Sequence, residues 1–241
     1  MHVPCPWRLV DPPPVAPFPA VPGMVPLPWV LVLQRAEPLP VALRDALADS
    51  LSAAERQRLD ALRQPADRER FLLGRGALRR LLGAWLALPP AAVPIEVGPH
   101  GKPGCPGGPE FNLSHSGDLI LLALHPSRPV GVDVEQARPD LDWRPIARRV
   151  LPPSEVQTLE RRAALEGGGA ATDAFLTAWC RLEARLKAGG EGLPGLGDPR
   201  HPREAGLALW EVTVPAGYRA AVALMGRPAG APGVCPPDPP G

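Results

Sequence analysis

Proline sets the limits of regular structure in this chain. It occupies 36 of the 241 positions, and each proline removes a backbone donor and fixes φ, so none can sit inside a helix or a central strand without a cost of about 3 kcal/mol. The prolines crowd the two ends and the short connectors. Residues 1–27 and 226–241 therefore read as irregular tails, and the stretch between them must carry the fold. The glycine step Gly167-Gly168-Gly169 reads as a further loop.

Between the tails, helical and strand periodicities alternate. A long helix is expected over Ala66–Leu86, where Phe71, Leu72, Leu78, Leu81, Leu82 and Trp85 recur near helical spacing. Strands are expected at Val93–Val97, Phe111–Leu113 and Leu119–Leu124. The apolar run Val130–Val134 opens a second half, followed by helices near Trp143–Val150 and Ser154–Arg162. A second long helix over Ala171–Ala188 and strands at Leu209–Val214 and Tyr218–Leu224 complete it. The stretches Ser116–Leu124 and Ala216–Leu224 share a pattern. These observations predict an α+β fold of two pseudo-duplicated α/β halves, residues 28–128 and 129–225, with a site between them.

Composition narrows the function. With Lys+Arg 26 against Asp+Glu 25, the net charge is +1, so no global field favours nucleic acid and any anion site must be local. Arginines along Arg68–Arg80 lack the aromatic interleaving of a nucleic-acid face. Cys5, Cys105, Cys180 and Cys235 lack the close pairing of a zinc site or disulfide framework and read as reduced thiols of a cytoplasmic protein. No apolar run reaches the roughly 20 residues that span a bilayer.

Chemistry concentrates in four segments. In Val130-Gly131-Val132-Asp133-Val134-Glu135, strand alternation puts Asp133 and Glu135 on one face, where like charges so close need a cation or a raised pKa. Read alone, the pair is equally a solvent-facing strand edge. Glu183 and Lys187 share one face of the second long helix at i and i+4, as a surface ion pair or as a metal and phosphate site. The polar run Phe111-Asn112-Leu113-Ser114-His115-Ser116 sits between apolar strands and calls for a ligand. No Gly-x-Ser-x-Gly elbow accompanies it, and Ser114 and His115, as neighbours on extended chain, point apart, which argues against a serine hydrolase. His100-Gly101-Lys102-Pro103 sets a cation on a turn.

Together, in order and spacing, these segments and the trailing Gly190-Glu191-Gly192-Leu193 resemble the Sfp-type 4′-phosphopantetheinyl transferases over about residues 50–225. The resemblance implies that Asp133, Glu135 and Glu183 hold Mg2+, with Mn2+ as a substitute. It implies that coenzyme A is the substrate, with Lys102 near it, Ser114 and His115 lining its nucleotide and phosphate site, Lys187 neutralising its pyrophosphate, Arg70 at its 3′-phosphate, and Arg56 and Arg58 as companions. The implied reaction moves the phosphopantetheine arm onto a serine of an apo acyl or peptidyl carrier protein, with Glu183, Lys187 and His115 at the chemistry. Glu183, directly or through a water, takes the serine proton.

Arg144, Arg148 and Arg149 are expected to dock the acidic carrier, and a duplicated chain can complete its site as a monomer. One residue departs from the family pattern: Leu182 stands where the family has lysine. That departure keeps open a non-catalytic coenzyme A or carrier-binding paralogue, and a metal-dependent phosphohydrolase is a second alternative, since carboxylates with a histidine and a lysine activate water as readily as a serine hydroxyl. If Leu182 costs a phosphate contact, Arg181 or Arg185 are its nearest replacements.

Overall fold

A computed structural model of the chain describes residues 27–35, 39–98, 101–138, 140–190 and 207–226. The expected tails, His100 and the Glu191-Gly192-Leu193 part of the trailing motif lie outside the described residues, apart from Leu27 and Gly226. The elements are β1 (Trp29–Gln34), α1 (Val41–Asp49), α2 (Ala53–Ala61), α3 (Pro65–Leu86), a 3-10 turn (Pro90–Ala92), β2 (Glu96–Val97), β3 (Pro103–Gly104), β4 (Glu110–Ser116) and β5 (Leu119–His125). Then come β6 (Val130–Gln136), α4 (Arg144–Val150), α5 (Pro153–Glu166), α6 (Gly168–Gly189), β7 (Ala208–Glu211) and β8 (Tyr218–Leu224). Among the described residues, no helix is long and apolar enough to cross a membrane.

Two antiparallel three-stranded sheets, ordered β1-β5-β4 and β6-β8-β7, form the centre, and β2 pairs with β3 beside them. Strand alternation sorts their side chains. Leu31, Leu33, Ile120, Leu122 and Leu124 face α1 and α3 in one core. The opposite faces of the same strands, through Val30, Leu119, Leu121 and Ala123, meet Val130, Val132, Val134, Val222 and Leu224 in a second core between the sheets. Every residue of β5 is therefore buried, which explains its unbroken apolar run. On the far side, α6 lies against Ala221 and Ala223 through Cys180, Ala184 and Ala188, small residues that let helix and sheet approach closely. Trp143 stacks on Phe175, ring centroids 6.1 Å apart, and joins α4 to α6.

Several elements differ from expectation for local reasons. β1, α1 and α2 are not among the expected elements. α2 buries none of its residues and is held by a capping box, in which the Ser52 hydroxyl accepts from the Glu55 amide (3.3 Å) and Glu55 accepts from the Ser52 amide (3.0 Å). Gly168 and Gly169 are not loop but the first turn of α6; only Gly167, at φ 91°, breaks the chain between α5 and α6. The expected strand over Val93–Val97 shrinks to Glu96–Val97, because the 3-10 turn Pro90–Ala92 and Pro94 leave no run of free donors.

Candidate active site between the two sheets

The backbone of β6 sets the position of the acidic pair. Gly131 shares its strand face with Asp133 and Glu135, and α6 crosses that face so closely that a Cβ at residue 131 would stand 2.1 Å from the Ala184 carbonyl oxygen and 2.3 Å from the Ala188 amide. Glycine is thus required at 131 for packing, and the approach it permits brings Lys187 onto Asp133. The Lys187 ammonium donates to Asp133 Oδ1 at 2.6 Å and to the Ser114 hydroxyl at 3.2 Å. Ser114 in turn donates to Asp133 Oδ1 at 2.9 Å. Asp133 is buried, with only 4% of its side chain exposed against 28% for Lys187, so the solvent-facing edge reading of this strand does not hold.

Three carboxylates share this one ammonium. The Glu135 pKa is raised, first by burial and then by Asp133, against the opposing Ser116 hydrogen bond. The Glu183 pKa is raised by burial first and by Asp133 and Glu135, while Lys187 lowers it. Asp133 Oδ2 and Glu183 Oε1 are buried with no hydrogen-bond partner. Orphaned acceptors beside mutually repelling carboxylates are what a hard divalent cation satisfies. Among the described residues no three His, Cys, Asp or Glu side chains converge into a ready-made metal cage.

A second feature lies across β4. Leu113 and His115 face a cavity of about 420 Å³, also lined by Arg58, Asp67, Arg70, Phe71 and Arg75, while Ser114 and Ser116 face the carboxylates. Adjacent Ser114 and His115 do point apart. Arg70 pairs with Asp67 at 3.2 Å, and its Nε is buried without a partner. The Arg58 guanidinium sits over the Phe71 ring, 5.5 Å from its centroid. Arg75 pairs with Glu55 at 3.2 Å, and its pKa is lowered, chiefly by burial. Cations outnumber anions around this cavity. The His115 pKa is lowered by desolvation first, then by Arg70 and Lys187; since the residue is exposed to water, the two cations are the more durable cause.

Not every expected residue reaches this centre. Arg58 and Arg70 line the cavity, but Arg56 does not: its guanidinium donates to the Leu51 carbonyl. Lys102 reaches neither cavity nor carboxylates; it donates to the carbonyls of Val130 (3.2 Å) and Ala188 (3.3 Å), tying the start of β6 to the end of α6. Burial lowers its pKa. Leu182 is half-buried, and Arg181 pairs with Glu211 at the surface. In α4, Arg144 and Arg148 both pair with Glu160, at 3.2 and 3.6 Å, and Arg149 is exposed. Arg75 and Ser116 were not singled out from sequence; the signals for them were the arginine spacing on α3 and the period-2 run Asn112, Ser114, Ser116.

Residues 129–227 match the model of the 4′-phosphopantetheinyl transferase superfamily. The 4′-phosphopantetheinyl transferase HetI of Nostoc sp. is 35% identical over 160 residues, which is 62% of this chain and 64% of that protein. A phosphopantetheinyl transferase of Thraustochytrium sp. is 33% identical over 186 residues, 71% of this chain and 64% of that protein. The 4′-phosphopantetheinyl transferase psf-1 of Bacillus pumilus is 32% identical over 156 residues, 62% of each chain. The chain thus spans less than two thirds of the length of these relatives.

Proposed function

We propose, from the match of residues 129–227 to the 4′-phosphopantetheinyl transferase superfamily, that this protein transfers the phosphopantetheine arm of coenzyme A to a serine of an apo acyl or peptidyl carrier protein. One observation carries the reading. Three carboxylates and Lys187 face one side of β4, and an arginine-lined cavity opens on the other.

Asp133, Glu135 and Glu183 would hold Mg2+ or Mn2+, whose chemistry there is neutralisation of pyrophosphate charge. The cavity takes the nucleotide end of the coenzyme. Arg70, with its buried unpartnered Nε, and Arg58 suit a phosphate dianion, since guanidinium remains charged and donates in fixed directions. His115 at the cavity rim and Ser114 line the phosphates. Lys102 acts from behind, by anchoring the α6 terminus that carries Lys187.

The acceptor serine Oγ attacks the β-phosphorus, its proton passes to Glu183 directly or through one water, and the bond to the leaving phosphate oxygen breaks to release 3′,5′-ADP. Lys187 neutralises charge on the leaving side.

The halves 28–128 and 129–225 are proposed as a pseudo-duplication. The support is topological: each sheet runs first strand, last strand, middle strand, and each places three α-helices, the last of 22 residues, between its first and middle strands. Since β4 and β6 supply the two walls of the site, one copy of the chain would suffice, as a cytoplasmic monomer. Exposed Arg149, with Arg144 and Arg148, is the proposed carrier contact.

The test is intact-mass spectrometry of apo carrier proteins incubated with the protein, coenzyme A and Mg2+. A gain of one phosphopantetheine arm that EDTA abolishes is expected. Release of free phosphopantetheine with the carrier unmodified would assign a phosphohydrolase instead. Coenzyme A binding without transfer to any carrier would assign the non-catalytic reading.

A further inference from the structure

β4 and β6 lie edge to edge but belong to different sheets. An edge strand carries a row of unpaired backbone donors, and buried donors must find acceptors. Here side chains of β4 supply them. Asn112 Oδ1 accepts the Val132 amide at 2.9 Å, and the Ser116 hydroxyl accepts the Gln136 amide at 3.1 Å. The strand period places Asn112, Ser114 and Ser116 on one side of β4, so this row takes the place of a backbone ladder across the junction.

The row has a second consequence. A hydroxyl that accepts from one backbone amide has its own proton free to donate in a set direction. Ser116 gives that proton to Glu135 Oε2 at 2.9 Å. The hydroxyl is thereby fixed at both ends, between the backbone of Gln136 and the carboxylate of the residue before it. Ser114 does the same for Asp133 but is shared with Lys187, whereas Ser116 serves Glu135 alone among the carboxylates.

We propose that Ser116 is a positioning residue: held by the Gln136 amide, it joins the Trp179 side chain in fixing the orientation of the Glu135 carboxylate for a divalent cation. The inference rests on the reading of Glu135 as a metal-holding carboxylate. A hydroxyl behind a ligating carboxylate limits its rotation and so removes part of the entropy that metal binding otherwise costs. Loss of such a partner typically weakens metal affinity about 10–100-fold. Substrate binding in the cavity across β4 does not pass through this bond and should not change.

The experiment titrates Mn2+ into full-length protein saturated with coenzyme A, by calorimetry and by the paramagnetic resonance of free Mn2+, for wild type, Ser116→Ala and Ser116→Thr. Coenzyme A affinity is measured separately in EDTA, and thermal unfolding is recorded for each protein. The expected result is a Mn2+ Kd raised about tenfold or more in Ser116→Ala and restored in Ser116→Thr, with coenzyme A affinity in EDTA unchanged. Turnover of Ser116→Ala should recover at saturating Mn2+. A Ser116→Ala protein that binds Mn2+ within about twofold of wild type overturns the proposal, as does a threonine variant that fails to restore affinity while folding normally. Wild-type protein that binds coenzyme A but no Mn2+ would remove the metal reading itself and the proposal with it.

Discussion

Gly131→Ala tests how the site is built. The added Cβ would meet three backbone atoms of α6, at 2.1 Å from the Ala184 oxygen, 2.3 Å from the Ala188 nitrogen and 2.9 Å from the Lys187 carbonyl carbon. No rotamer change relieves a backbone clash, so the helix must move. Opening the shortest approach to 3.0 Å, below which real Cβ contacts essentially do not occur, requires a retreat of about 0.9 Å. Overpacking of this kind costs about 1–3 kcal/mol. For a domain of this size the cost corresponds to a Tm lowered by roughly 2–12 °C. The same retreat stretches the 2.6 Å contact between Lys187 and Asp133, and a misplacement of about 1 Å among groups that act together costs on the order of 100-fold in turnover. Scanning calorimetry and steady-state transfer to a carrier measure both effects. Gly168→Ala is the control: a Cβ there meets nothing within 4 Å, and alanine in a helix should stabilise by about 0.5–1 kcal/mol. A Gly131→Ala protein with Tm within about 1 °C of wild type and unchanged turnover would refute the argument that glycine is needed for the α6 approach.

Three further outcomes are expected. Glu183→Ala should lose transfer while its circular dichroism and Tm stay near wild type; near-normal turnover of the pure variant would remove Glu183 from the chemistry. Because the His115 pKa is lowered from 6.5, the native state binds fewer protons there than the unfolded chain just below that value. Its contribution to stability is therefore complete above 6.5 and declines as the pH falls below it. In an imidazole NMR titration the His115 midpoint should lie below 6.5 in the free protein and move up when 3′,5′-ADP binds; a free midpoint at or above 6.5 contradicts the cation-crowding account. Arg79→Met should lower stability by about 3 kcal/mol, read as a shift of the urea midpoint. Arg79 is 4% exposed, and its removal takes a charged donor away from Glu55 and from the carbonyls of Pro90, Ala91 and Val93. A shift below about 1 kcal/mol would mean that water replaces the guanidinium.

Periodicity alone determined the long helices, the apolar strands β5 and β6, and the alternation that puts Asp133 with Glu135 and separates Ser114 from His115. These follow from the fixed geometry of 3.6 and 2 residues per repeat, which each segment carries within itself. What the sequence could not disclose depends on atoms far apart in the chain. α2 has no apolar face to reveal it, and its stability comes from Glu55 reaching both Ser52 and the arginines of α3. Arg56 and Arg58 look equivalent two residues apart, yet one is turned to a backbone carbonyl and the other to the cavity. Lys102 reads as a free cation on a turn, and only the meeting of α6 with β6 supplies the carbonyls that claim it. The roles of Gly131 and Ser116 likewise belong to the junction. A glycine records that something comes close and a serine that something is bonded, but which helix approaches and which carboxylate accepts is decided when the two sheets pack.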